Sequence, residues 1–216
     1  LFGPARDQGP RPTCLAFATS DAHAGLRPGW QPLSCEYAFF QAQHRTGRSA
    51  AEGATLTSML DGLQQDGQPE EAGWPYLPAT PADLTAWQPP NSVGARYRRA
   101  SARGDTTVAP ILAKLDQRRP VLLMTLLSRS FYLPSTEGVV DPANDEAPEP
   151  TQRHAVVAVG DGTVHGAQAI LVRNSWGPTW GVAGHAWLTQ RFLEPRLFAT
   201  AHLMEDVDVF GSSAAA

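Results

Sequence analysis

Asn174-Ser175-Trp176-Gly177-Pro178-Thr179-Trp180-Gly181, followed by Gly184, is the stretch on which the reading of this chain turns. Its glycines and Pro178 favour turns. It lies between two apolar runs, residues 168–173 and 185–188, that read as strands bounded by turn formers. Toward the N-terminus, residues 95–99, 121–126 and 154–159 read as further strands, and one helical segment, residues 108–116, interrupts them.

The first part of the chain has a different period. Leu15, Phe17 and Ala18, then Tyr37, Phe39 and Phe40, then Leu56, Met59, Leu60 and Leu63 recur at helical spacing. Pro12-Thr13 and Ser34 supply start signals for the first two helices and Gly67 a stop for the third. Residues 73–91 are crowded with proline (75, 78, 81, 89, 90) and tryptophan (74, 87), which favours an irregular crossover between two lobes. Helices followed by an antiparallel sheet make the expected class α+β.

Composition narrows the function. The 216 residues carry a formal net charge of −4, without the clustered Lys and Arg that nucleic acid or an anionic membrane surface calls for, so neither is expected as a partner. The apolar runs, such as residues 120–127 (PVLLMTLL), fall well short of the ~20 residues that span a bilayer. No secretory signal pattern is visible, and export stays open. Only Cys14 and Cys35 are present, which excludes a disulfide framework. The histidines other than His154 lack neighbours at zinc-ligand spacing, and no metal or cofactor is expected. Ser128 and Ser130 lack the glycine-flanked elbow of a serine hydrolase. Residues 212–216 (SSAAA) read as a tail or cloning scar.

One cysteine near the start, a histidine 140 residues later and an asparagine 160 residues later form the order expected of a cysteine-nucleophile hydrolase. Three strings carry more than spacing. They are Gln8-Gly9 with Cys14-Leu15-Ala16-Phe17, His154-Ala155-Val156-Val157-Ala158-Val159-Gly160, and the asparagine stretch quoted first. Together with Leu33-Ser34, Gly53 and Trp74-Pro75-Tyr76 in the same order, they resemble the papain-like cysteine peptidases from Asp7 to about Leu188.

That resemblance implies a two-lobed fold with an N-terminal helical lobe, a C-terminal antiparallel β-barrel-like lobe and the active site in the groove between. Residues 1–211 would form one domain, its helical lobe at about 8–85 and its sheet lobe at about 86–210. It implies Cys14 as nucleophile, His154 as base, Asn174 as the group orienting the histidine, and Gln8 with the Cys14 backbone N–H as oxyanion donors. Trp176 would cover the Asn174–His154 hydrogen bond. Gly53, Trp176 and Arg153 are the expected substrate-binding residues, Gly53 because a residue without Cβ lets a peptide backbone approach closely. The substrate would be a peptide or protein. A pro-segment, a fused domain or an inhibitor outside this chain would be a further partner.

Three departures stand out. Arg11 replaces the family's usual cysteine three residues before the nucleophile, and Pro12 its usual glycine; prolines 10 and 12 would then stiffen that loop. Without the family's disulfides, a reducing compartment is favoured, and the Ala, Arg and Pro content fits a bacterial source. Arg153, where relatives carry Asp or Gly, would lower the histidine's pKa. Residues 130–152 hold acidic positions 137, 141, 145, 146 and 149 and no basic one. This reads as a solvated loop, or, beside the groove, as a preference for basic substrates. Cys35 reads as a structural or free thiol. Besides a peptidase, the same residues suit a restricted acyl-transfer enzyme (exopeptidase, transpeptidase or deamidase), and the fold alone suits an inactive peptide-binding homologue.

Overall fold

The computed structural model describes residues 2–210, with side chains up to residue 204; the tail read at 212–216 lies outside the described residues. The chain divides into two compact units, one holding Gln8–Ser101, the other Pro4–Asp7 and Ala102–His202.

The first unit is built on three helices, α1 (Cys14–Gly25), α2 (Cys35–Thr46) and α3 (Leu56–Gln65). Ser34 Oγ accepts the Tyr37 N–H at 3.0 Å and Thr55 Oγ1 accepts the Ser58 N–H at 3.1 Å, so α2 and α3 start on side-chain caps. α1 has no such cap: the Thr13 hydroxyl is engaged instead with Tyr76 Oη at 2.8 Å. Gly67, with φ of 72°, ends the third helical stretch in a left-handed turn that L-residues with a Cβ disfavour. The tryptophans of the crossover pack back onto α2. The Phe40 ring lies 5.5 Å from Trp74 and 5.1 Å from Trp87, inside the distance at which aromatic pairs gain beyond their buried area.

From Arg96 the chain builds a sheet: β1 (Arg96–Gly104), α4 (Val108–Leu115), β2 (Val121–Leu127), α5 (Arg129–Tyr132), β3 (Val139–Val140), β4 (Glu149–Val164), β5 (Ala167–Arg173), β6 (His185–Thr189), α6 (Gln190–Leu193) and β7 (Leu197–Phe210). The strand order is β1-β7-β2-β4-β5-β6-β3. Pairings β2–β4, β2–β7, β4–β5 and β5–β6 are antiparallel and β3–β6 is parallel. The class is α+β, and the sheet is mostly antiparallel but not closed into a barrel. Its order ends on the two-residue β3, too short to carry the pairing further round.

β2 is buried on both faces, which is why it reads as a continuous apolar run. Val121 and Leu123 share a core with Val156, Ala158, Ile170 and Val172, and α4 lays Val108 and Ile111 onto it. β4 extends well beyond the expected 154–159, because it holds partners on both sides and absorbs register shifts on each. β7 and the short β3, α5 and α6 were not legible. In β7 the stretch Ala199-Thr200-Ala201-His202 lacks the β-branched density that marks a strand. No helix among the described residues is long and apolar enough to cross a membrane.

Candidate active site

In the sheet unit, strand alternation puts the histidine and its sequence neighbour Arg153 on opposite faces of β4. His154 shares a face with Val156 and Ala158 of the core, whereas Arg153 shares the opposite face. His154 is buried, 6 % exposed, at the point where β4 passes from an exposed start into a stretch buried on both faces. The Arg153 side chain is exposed and lies over the Phe198 ring at 5.6 Å.

Asn174 follows β5 directly, where the chain leaves the sheet. Its backbone N–H donates to Gly184 O at 3.0 Å, which closes the turn-rich stretch of residues 174–184. Gly181 and Gly184 have φ of 57° and 79°. A Cβ on the first would lie 2.2 Å from His185 O, and one on the second 2.2 Å from the Ala5 Cβ. Both positions are thus closed to larger residues by backbone conformation and by space.

This turn delivers the Asn174 side chain to the ring: His154 Nε2 lies 2.7 Å from Asn174 Oδ1. The Ser175 backbone N–H reaches the same atom at 2.8 Å, which identifies it as the oxygen. The ring must therefore donate from Nε2–H, leaving Nδ1 as its basic atom in the neutral form. Trp176 packs 4.7 Å from the imidazole and stacks on Tyr132 at 5.4 Å, and Phe131 closes another side of the ring at 5.6 Å. This aromatic wall dries the hydrogen bond and strengthens it. A cavity of about 470 Å³ adjoins it, lined by Tyr132, Pro134, Trp176, Thr179, Trp180 and Gly181.

Burial has an electrostatic consequence. It pushes the His154 pKa down to about 4, the Asn174 bond opposing the shift only in part. The lowering expected from Arg153 thus has a different cause, consistent with the guanidinium lying on the other face of the strand.

In the helical unit, Cys14 is the first residue of α1 and is partly exposed. The N-terminal end of a helix presents positive potential to a thiolate. Gln8 is 7 % exposed and donates from Nε2 to Arg11 O at 2.8 Å. Gly53 is exposed, and a Cβ there would meet only Pro12 O, at 3.9 Å. Neither Cys14 nor Cys35 is in a disulfide, and Cys35 is fully buried at the start of α2. Each unit thus gathers its own share of the expected residues: Gln8, Cys14 and Gly53 in one, His154, Asn174 and Trp176 in the other. Sequence reasoning passed over Phe131 and Tyr132, whose only signal was an aromatic pair in a short apolar segment.

The carboxylates of residues 130–152 are mostly committed locally. Asp141 pairs with Arg191 at 2.5 Å, Glu146 accepts from Ser130 N–H at 2.9 Å and Ser130 Oγ at 2.8 Å, and Glu137 lies 3.3 Å from His165 Nε2.

A family profile described as papain family cysteine protease matches residues 2–194. A cysteine protease of Blomia tropicalis is 25 % identical over 198 residues, 85 % of this chain and 56 % of that protein. The chain spans about half the length of the curated relatives it matches, 54–56 % for the first two. Among solved structures, xylellain, a cysteine protease from Xylella fastidiosa, superposes with a TM-score of 0.76 at 18 % identity, covering 93 % of this chain and 82 % of that one. The Carica candamarcensis cysteine protease CMS1MS2, solved in complex with E-64, does so with a TM-score of 0.73 at 20 % identity, covering 94 % and 93 %.

Proposed function

The chain belongs to the papain family of cysteine proteases, and from that premise we propose that it is a cysteine peptidase in which Cys14 is the nucleophile, His154 its acid and base, and Asn174 the residue that orients the ring. The observation that carries the reading is the 2.7 Å bond from His154 Nε2–H to an Asn174 oxygen whose identity the Ser175 N–H fixes. That bond leaves Nδ1 for the thiol and sets the ring's plane and tautomer before substrate arrives.

A thiol is a weak nucleophile at its ordinary pKa of roughly 8.5 and needs an electropositive partner. The α1 N-terminus and a protonated His154 are those partners. Burial alone favours neutral imidazole, so the imidazolium of the resting pair depends on the thiolate's own charge. The thiolate sulfur attacks the peptide carbonyl carbon, and the electron pair of the C=O moves to oxygen. Donors already in place, the Gln8 amide and the Cys14 backbone N–H, stabilise that oxyanion. Collapse of the intermediate breaks the C–N bond as His154 Nδ1–H gives its proton to the leaving amine. Neutral His154 then takes a proton from water, hydroxide attacks the thioester, and the acid leaves with the thiolate and imidazolium restored. Gly53 and Trp176 support a peptide substrate in this reading. Arg153, lying over Phe198, contributes at most at the periphery.

That Cys14 and Cys35 are not joined by a disulfide supports function in a reducing compartment. The bacterial source rests on composition alone.

The test is labelling of Cys14 by a peptidyl epoxysuccinate across pH, beside Cys14→Ala and His154→Ala, with product masses from a peptide mixture. Fast stoichiometric labelling at pH 5–6 that His154→Ala slows, with cleaved peptides as products, supports the reading. Labelling no faster than that of an ordinary thiol in the wild-type chain overturns it.

A further inference from the structure

Six residues, Gln8 to Thr13, lead into α1 with little regular structure of their own, yet a buried ion pair anchors their middle. The Arg11 guanidinium is 1 % exposed and the Glu36 carboxylate 0 %. Arg11 Nη1 lies 2.5 Å from Glu36 Oε2 and Nη2 lies 3.0 Å from Oε1, a bidentate pair that ties the loop to α2. Nη1 also donates to Leu77 O at 2.7 Å, and the guanidinium stacks 5.5 Å over Phe39 and 5.1 Å over Tyr76. Glu36 accepts two more bonds, from Trp87 Nε1 at 2.6 Å and from Leu77 N–H at 3.1 Å. The carboxylate is therefore surrounded by donors, as a buried charge must be.

The backbone of the same arginine faces the site. Arg11 O accepts the Gln8 Nε2–H at 2.8 Å and the Thr13 N–H at 2.8 Å. One proton of the Gln8 amide is thus fixed by Arg11, and this sets the direction of the second proton on the same nitrogen. Tyr76 closes the loop from the other side. Its hydroxyl donates to Gln8 O at 2.7 Å, so the 2.8 Å contact with Thr13 is one in which Thr13 Oγ1–H donates.

We propose that Arg11, held by Glu36 and backed by Tyr76, is a positioning residue for catalysis: an ionic staple that aims the Gln8 amide at the developing oxyanion. It stands where the related enzymes place a cysteine, and the electrostatic pair does there what a covalent tie would do, in a chain whose two cysteines form no disulfide. The proposal rests on the reading of Cys14 as nucleophile and Gln8 as oxyanion donor. A mere stability role would lower the melting temperature and the active fraction. A positioning role instead lowers kcat at unchanged KM, and only through Gln8.

The experiment is a double-mutant cycle on the purified chain, combining Arg11→Lys with Gln8→Ala, with Tyr76→Phe as a second and milder loosening of the same loop. Lysine keeps the charge and loses the fork. Each folded variant is assayed for kcat and KM on a fluorogenic peptide and for the rate at which iodoacetamide alkylates Cys14, a reaction that needs the thiolate but no oxyanion donor. The expected result is a kcat lowered about 10–100-fold by Arg11→Lys and less by Tyr76→Phe. KM and alkylation stay within about 3-fold, and Arg11→Lys adds little once Gln8 is alanine. Wild-type kcat in Arg11→Lys, or losses that multiply in the double variant, overturns the staple and leaves the peptidase reading intact. Unchanged kcat in Gln8→Ala alone overturns the oxyanion role of Gln8, and the staple with it.

Discussion

The His154 ring donates from Nε2 to Asn174 Oδ1 at 2.7 Å, within a wall formed by Trp176 and Phe131. The bond is one of two that end on that oxygen, so the Asn174 amide cannot flip without losing both. Asn174→Ala is expected to lower kcat about 10²-fold, since an unheld ring spends little time in the productive orientation. Trp176→Ala should do part of the same damage by letting water onto the bond, and Trp176→Phe less. Steady-state kinetics with a fluorogenic peptide checks the ranking; Asn174→Ala at wild-type kcat would remove the orienting role.

The dependence of the imidazolium on the thiolate is directly measurable. With Cys14→Ser the opposing charge is gone, and His154 is expected to titrate near the value of about 4 that burial imposes. In the native chain the ring should stay protonated to a clearly higher pH. Histidine-selective NMR across pH 3–9 reads both; identical titrations would mean that no ion pair forms.

A second buried histidine contributes to acid sensitivity. His23 is fully buried, its Nδ1–H donates to Gln68 Oε1 at 3.1 Å, and burial pushes its pKa down to about 3. The unfolded chain binds a proton on this ring at roughly pH 6.5, so between that pH and about 3 the unfolded state holds more protons than the folded one. Stability from this group is fully present above pH 6.5 and falls on acidification, by about 1.4 kcal/mol per pH unit at most. Urea unfolding at a series of pH values should show the slope, and His23→Leu should flatten it whatever it does to stability at pH 7. An unchanged slope would mean that His23 contributes nothing to it.

The acidic segment 130–152 is expected to leave little mark on specificity. Asp141, Glu146 and Glu137 each have a partner within their own unit, so their charges are spent locally or screened by solvent. Matched peptides with Lys or Asp after the scissile bond should be cleaved at rates within about 3-fold. A preference for Lys of 10-fold or more would restore the idea that this segment reads basic substrates.

The staple around Arg11 and the buried His23 have a common origin in long-range packing, and they mark where reading the sequence stopped. Ser34 as a helix start and Gly67 as a stop were visible because caps and left-handed turns are local choices, settled within a few residues. The strand expected at 121–126 was visible because a strand buried on both faces is largely apolar. β7 was not, because its place beside β2 is fixed by a partner some 75 residues away and not by its own β-propensity.

By itself the sequence determined the family, the helix-then-sheet order, and the identity and order of Cys14, His154 and Asn174, because these are carried by residue type and spacing along the chain. The tertiary structure alone decided that Arg11 meets Glu36, that Asn174 holds Nε2 and leaves Nδ1, and that burial instead of Arg153 depresses the histidine. Those facts depend on which groups distant in sequence are brought within hydrogen-bond distance and sealed from water. Both proximity and desolvation are properties of the packed chain, and no local pattern encodes them.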